Sequence, residues 1–306
     1  MVTLQASAAA VSPPRSPRPR LQRIAAVVNS AAGSVGTDAA DALSALVAEH
    51  GYQLAVAAPP PEGIAEAVRK AVDSAPDLLL ILAGDGTARL AAELSGPDGP
   101  MVAPLAGGTL NMLPHAIYGA IPWRDALAAL LEEGVEQDVS GGKVDGRSFF
   151  VAAVLGSPAL WSSAREALRK GRLLEMARRV RHALGRAFTG PLRFGIDGGA
   201  GGTAEALALI TPLVSKKLQA QTALEMAAFD LKDAREVARL AFNGLVGDWR
   251  SDPGVRVRTV ERGWASARRR IPCILDGESQ QLPRRIAFEF TPRAFRTLAP
   301  PLPDGS

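Results

Sequence analysis

The chain reads as a doubly wound α/β domain followed by a mainly antiparallel, β-sandwich-like domain, and three observations predict this. From Ile24 to Glu133 short apolar runs alternate with segments of helical spacing, the pattern of a parallel sheet covered by helices. Beyond Asp138 the pattern changes to short runs separated by turn residues, as in antiparallel strands. A length of 306 residues with 47% hydrophobic content suits two domains, each with its own core. The expected division is a tail over 1–20, the α/β domain over 21–137 and the β-rich domain over 138–306.

In the first domain the strands are expected at Ile24–Val28, Gln53–Ala58, Leu78–Ala83 and Met101–Leu105. Helices are expected at Asp38–His50, Glu62–Val72, Ala88–Leu94 and Asp125–Leu131, where apolar residues recur with a helical period. In the second domain Val139–Val144 and Ser148–Leu155 flank Asp145-Gly146, a strong hairpin-turn signal. Later strands are expected at Ala206–Thr211, Ala223–Phe229, Val255–Val260, Ile271–Leu275 and Ile286–Thr291. Two helices interrupt them, Leu231–Leu240 and a longer one from about Ser162 to Phe188.

The chemistry is concentrated where the first strands end. Leu78–Ala83 stops at Gly84-Asp85-Gly86-Thr87, and a helical segment follows. Glycines allow a tight turn and close backbone approach, and the positive end of the helix faces the same point, so the loop suits an anion. Asp85 adds a carboxylate that would repel a bare phosphate but would welcome one that arrives with Mg2+. Met101–Leu105 runs into a second such corner, Ala106-Gly-Gly-Thr-Leu-Asn111. The first strand leads into a third, Asn29-Ser-Ala-Ala-Gly-Ser34. In an open α/β sheet all three would converge on one crevice at the carboxyl ends of the strands.

The order of these loops resembles that of the diacylglycerol kinase catalytic-domain superfamily, which includes bacterial lipid kinases and sphingosine and ceramide kinases. The resemblance runs from the Asn29 loop through Gly84-Asp85-Gly86-Thr87 and Gly108-Thr109-Leu110-Asn111 to Asp276-Gly277-Glu278, and so covers nearly everything from Arg23 to Pro301. It implies ATP and Mg2+ as cofactors and an active site in the cleft between the two domains. It also implies a nucleotide-binding set of Asn29, Gly33, Gly84, Gly86, Thr87, Gly108, Thr109 and Asn111. Asp85 would be both a catalytic and a metal-binding residue, and Glu278 the catalytic base that accepts the proton of a lipid hydroxyl. The acceptor would be a diacylglycerol or a related lipid.

The sequence departs from the family pattern at Ala83, Ser30, Arg89, Leu90 and Met112. Arg89 stands where an Asn is usual, and its guanidinium suggests a phosphate or acidic lipid head as partner. An Asp-Gly turn that helps hold a structural Mg2+ in bacterial members is matched here by Gln221-Thr222, which puts that ion in doubt. Two other readings stay open: a family member that binds nucleotide and lipid without turnover, and a kinase of a small soluble substrate related to NAD kinase.

The remaining features bear on partners. Net charge is only +4, yet the isoelectric point near 9.6 reflects clustered arginines. Arg165, Arg169, Lys170, Arg172, Arg178, Arg179, Arg181 and Arg186 face only Glu166 and Glu175 along a segment with an apolar stripe. Such a helix suits an anionic membrane surface or a solvated position on its own domain. Few aromatics and no recognisable module argue against nucleic acid. A homodimer remains allowed. The single cysteine, Cys273, reads as a strand core residue in a reducing compartment. With no apolar signal segment, the expected location is cytoplasmic and peripheral to the membrane. The histidines, His50, His115 and His182, show no metal-site spacing, and His115 lies nearest the third loop.

Overall fold

The structure, a computed structural model, describes residues 19–33, 35–156, 191–197, 199, 201–215, 222–230, 250 and 252–300. The helices expected over 162–188 and 231–240, and with them the arginine-rich stretch and Gln221, lie outside the described residues.

The first layer is a parallel sheet of β1 (Ile24–Val28), β2 (Leu54–Ala57), β3 (Leu78–Ala83) and β4 (Met101–Ala106), ordered β2-β1-β3-β4. The chain steps from β1 out to β2 and returns to the other side of β1 for β3, and that reversal opens a crevice at the carboxyl ends of the strands. β1 and β3 are buried along their whole length, as strands covered on both faces must be. One face is covered by α1 (Ala39–Glu49) and α5 (Trp123–Glu133), through Leu43, Val47, Leu127 and Leu130. The other is covered by α2 (Ile64–Asp73) and α3 (Asp85–Ser95), through Val68, Ala88, Ala91 and Ala92. A fully buried side chain such as Leu43 contributes roughly 1.5–3 kcal/mol, so these stripes account for the doubly wound arrangement. A short helix, α4 (Met112–Tyr118), follows β4.

The rest of the described chain is antiparallel. One sheet comprises β5 (Val135–Val144), β6 (Arg147–Phe149), β8 (Leu192–Ile196), β9 (Gly202–Ala204), β13 (Arg262–Ser266) and β16 (Arg285–Ala299), ordered β6-β5-β16-β13-β8-β9. The other comprises β7 (Ala152–Gly156), β10 (Ala206–Ile210), β11 (Leu224–Phe229), β12 (Val255–Val260), β14 (Ile271–Leu275) and β15 (Glu278–Leu282), ordered β12-β11-β10-β7-β14-β15. Val144, Phe149 and Phe288 from the first sheet share a core with Leu207, Met226, Cys273 and Leu275 from the second, so the sheets stack as a sandwich. Cys273 is fully buried and unpaired, as its place in a strand core requires.

Several boundaries differ from the sequence reading, each for a local reason. α3 begins at Asp85 rather than Ala88, because Gly84 takes the extended conformation and completes the turn alone. Asp85-Gly86-Thr87 is therefore the first turn of a helix. The single strand expected at Ser148–Leu155 is two, β6 and β7, in different sheets. At the crossing the N–H groups of Phe150, Val151 and Ala152 donate to the Asp276 carboxylate at 2.8, 2.9 and 3.0 Å. The Thr211 hydroxyl donates to the Phe150 carbonyl at 2.8 Å. These bonds satisfy backbone groups that leave one ladder before joining the next. The last strand is not Ile286–Thr291 but runs on to Ala299, because a bulge between Thr291 and Phe295 absorbs Pro292. Its far end reaches the α/β layer, where Leu298 joins the core under α1 and α5.

Candidate active site

β1, β3 and β4 are neighbours and parallel, so the loops that follow them leave from one edge. The structure brings together all the loop residues singled out from the sequence. Asn29 is tied down by its N–H, which donates to Leu82 O at 2.9 Å, while its side-chain oxygen accepts from Ala31 N at 3.2 Å. A Cβ on Gly33 would lie 3.4 Å from Thr109 Oγ1, so the first and third loops touch. The second and third loops meet backbone to backbone: a Cβ on Gly108 would lie 2.7 Å from Gly84 Cα, closer than any side chain tolerates. Thr109 remains exposed at the rim.

Asn111 has an internal task that the sequence did not announce. Its Oδ1 accepts from Gly108 N at 2.7 Å and its Nδ2 donates to Gly108 O at 2.9 Å. The side chain thus clamps the loop shut, with its own backbone in the left-handed region that Asn tolerates. Asp85 likewise serves the fold. Its Oδ1 accepts from Leu113 N at 3.2 Å, and the amides of Met112 and Asn111 also stabilise the carboxylate. Asp85 is therefore an N-terminal cap for α4, supplied from α3. Burial pushes its pKa up, against those amides and the nearby His115. A carboxylate so placed gains from a cation beside it.

The first turn of α3 has no side-chain cap. The N–H groups of Asp85 and Gly86 have no intrahelical acceptor by position, and they point with the helix dipole into the crevice.

The second domain reaches this crevice through the β14–β15 hairpin. Asp276 and Gly277 form its two-residue turn, both at positive φ (45° and 90°), the geometry that favours Asp-Gly. The turn rests on the third loop: a Cβ on Gly277 would lie 2.8 Å from Leu110 Cδ1 and 3.2 Å from Met112 Sδ. Asp276 is wholly buried and anchors the turn through its three amide contacts at the sheet crossing. Burial raises its pKa to about 6, against those same amides and the charge of Arg89.

Glu278 is the first residue of β15, a strand the sequence reading did not include. Its carboxylate sits directly above Gly86: a Cβ there would overlap Glu278 Oε1 at 2.0 Å. Arg89, one turn further along α3, donates from Nη2 to Glu278 Oε2 at 2.6 Å. The phosphate or lipid head suggested for Arg89 gives way to this partner from within the chain. Glu278 keeps 44% of its side-chain surface exposed while Arg89 keeps 17%, so the carboxylate faces the crevice and the guanidinium backs it. Among the described residues no cluster of three or more His, Cys, Asp or Glu side chains gathers to hold a metal ion.

Solved structures of other proteins share this architecture. Residues 23–144 match the model of the diacylglycerol kinase catalytic domain. Among solved structures, the fold is similar to a diacylglycerol kinase from Bacillus anthracis str. Sterne, with a TM-score of 0.68 and 15% identity, over 93% of this chain and 99% of that one. It is also similar to a candidate diacylglycerol kinase from the same organism, with a TM-score of 0.71 and 16% identity over the same shares. No curated protein matches the sequence. Residues 23–144 therefore resemble the diacylglycerol kinase catalytic domain, set within a two-part fold shared with those solved structures.

Proposed function

We propose that this protein is an ATP-dependent lipid kinase that transfers the γ-phosphate to the hydroxyl of a diacylglycerol-like lipid at a membrane surface. The observation that carries the reading is the seat of Glu278 above Gly86, which puts a partly exposed carboxylate from one domain at the helix start of the other. Phosphoryl transfer asks a protein mainly for positioning, charge neutralisation and a group that can take a proton. The uncapped start of α3 and the Gly108-Thr109 loop would hold nucleotide phosphates. Asp85 would hold Mg2+ together with those phosphates, the usual way one carboxylate serves this ion, and the ion would supply charge neutralisation. Glu278 would accept the hydroxyl proton at Oε1, the oxygen that Arg89 does not hold.

The test is purified protein with labelled Mg-ATP and either a lipid extract or soluble hydroxyl acceptors, together with Glu278→Gln. Labelled lipid, a kcat lowered roughly 10²–10⁴-fold in the variant, and unchanged thermal protection by ATP are expected. The Arg89 ion pair favours a second reading, in which a base engaged by a cation leaves a nucleotide-binding protein without turnover. Protection by ATP without labelling of any acceptor would decide for that reading. Labelling of soluble acceptors alone would decide for a kinase of the NAD kinase type.

A further inference from the structure

We propose that the end of the β domain formed by the β13–β14 and β15–β16 loops, with the adjacent start of β8, is a docking surface for an anionic lipid bilayer. Six arginines meet there. Arg193 on β8 and Arg285 on β16 both pair in register with Ser266 of β13, so they flank it in one row across the sheet. Arg268, Arg269 and Arg270 follow directly in the β13–β14 loop. Arg284 is brought beside them by the bond from Ala267 N to Arg284 O at 2.8 Å. Arg270 Nη2 also donates to Gln281 O at 3.3 Å, which ties the two loops together. All six side chains are exposed.

The charge has no acidic partner among the described residues. Among the described residues the arginine ion pairs belong to Arg89, Arg250, Arg262, Arg293 and Arg296, and to none of these six. No Asp or Glu occurs from Arg262 to Leu275 or from Ser279 to Phe288. A surface cluster of this density raises the local potential and draws an extended anion.

One large aromatic side chain accompanies it. Trp264 points outward from β13, two residues from Ser266, and is 36% exposed. The Arg285 guanidinium lies over its ring, 5.5 Å from the centroid. A tryptophan with one face on protein and an edge in solvent, ringed by cations, matches the headgroup level of a membrane, where amphipathic indoles collect. A single-stranded nucleic acid would instead call for several stacking rings along a groove. The surface lies at the end of the β14–β15 hairpin remote from Glu278, so it stands whether or not the chain proves to be a lipid kinase.

The test is co-sedimentation of the full chain with vesicles of phosphatidylcholine alone and of phosphatidylcholine mixed with phosphatidylglycerol, at low and high salt. The protein should sediment with the anionic vesicles only, and release with salt. The combined variant Arg268→Gln/Arg269→Gln/Arg270→Gln lies in an exposed loop, and its melting curve should match the parent. Each basic residue near an anionic surface adds about fivefold in binding, so the variant's partition should fall by about 100-fold. A triple variant that binds anionic vesicles as the parent does would overturn the proposal. So would equal binding to neutral vesicles, or an arginine-dependent binding to duplex DNA tighter than to anionic vesicles.

Discussion

Gly86→Ala tests the seat of Glu278 with one added carbon. That carbon would lie 2.0 Å from Glu278 Oε1 and 2.9 Å from its Cδ, whereas ordinary contact begins near 3.4 Å. The carboxylate must withdraw by about 1.4 Å, because its neighbour is the backbone of a helix that cannot yield. A misplacement of about 1 Å at a reacting group can cost roughly 100-fold in rate, so kcat should fall by at least that factor. The cost to folding should be small. Alanine in a helix is favoured over glycine by up to about 1 kcal/mol, and a partly exposed ion pair with Arg89 contributes about 1 kcal/mol or less, so the two offset each other. The assay pairs steady-state kinetics with thermal melts, with and without Mg-ATP. A lowered kcat, an unchanged melting point and retained protection by ATP are expected. Full turnover would refute the steric reasoning. Loss of ATP protection along with turnover would refute it too, since the added methyl would then be blocking phosphates rather than displacing the base.

Asp85 carries two separable tasks. Asp85→Asn should keep the α4 cap, since both side chains cap well, and lose Mg2+-dependent turnover; Asp85→Ala should in addition lower stability by about 1 kcal/mol in denaturant titration, and equal stability of the two variants would remove the cap. Arg89 should act through Glu278: Arg89→Gln should lower kcat with little change in KM for ATP, Arg89→Lys should restore part of it, and in a Glu278→Gln background the Arg89 change should add nothing, whereas multiplying effects would show that Arg89 acts elsewhere. Asp276 should make stability depend on pH. Its pKa rises from 3.8 unfolded to about 6 folded, so the protonated form is the one folding favours. Its contribution is complete below pH 3.8 and is lost as pH rises through 6, a change of about 3 kcal/mol. The stability advantage over Asp276→Asn should shrink by that amount across this window, and parallel pH curves would exclude it.

Much of the first domain was legible because its signals are local. Leu78–Ala83 is an unbroken apolar run that ends at glycine, and its short length with that flanking glycine suits a strand buried on both faces. Asp145-Gly146 announced its hairpin for the same reason, since few other residue pairs accept two positive φ angles. The same turn chemistry at Asp276-Gly277 marks a hairpin there too, but β15, Glu278-Ser-Gln-Gln-Leu282, alternates too weakly to read as a strand; it forms because β14 offers it a ladder. The break between β6 and β7 was invisible for a related reason. Phe150 and Val151 look like strand residues, and only a buried carboxylate more than a hundred residues away lets their backbone leave one sheet for another.

By itself, then, with Glu278 marked only by the family resemblance, the sequence determined the order of layers, the three loops at one sheet edge and Asp85 as the carboxylate among them. It did so because apolar period and glycine placement are properties of neighbouring residues. What only the tertiary structure decided was the use of each side chain. Asn111 closes its own loop, Asp85 caps the following helix, Asp276 anchors the sheet crossing, and Arg89 holds Glu278 over Gly86. The residues of that last pair stand 189 positions apart. Hydrogen bonds and ion pairs depend on distances of a few ångströms, and no local period records which distant segments folding will bring that close.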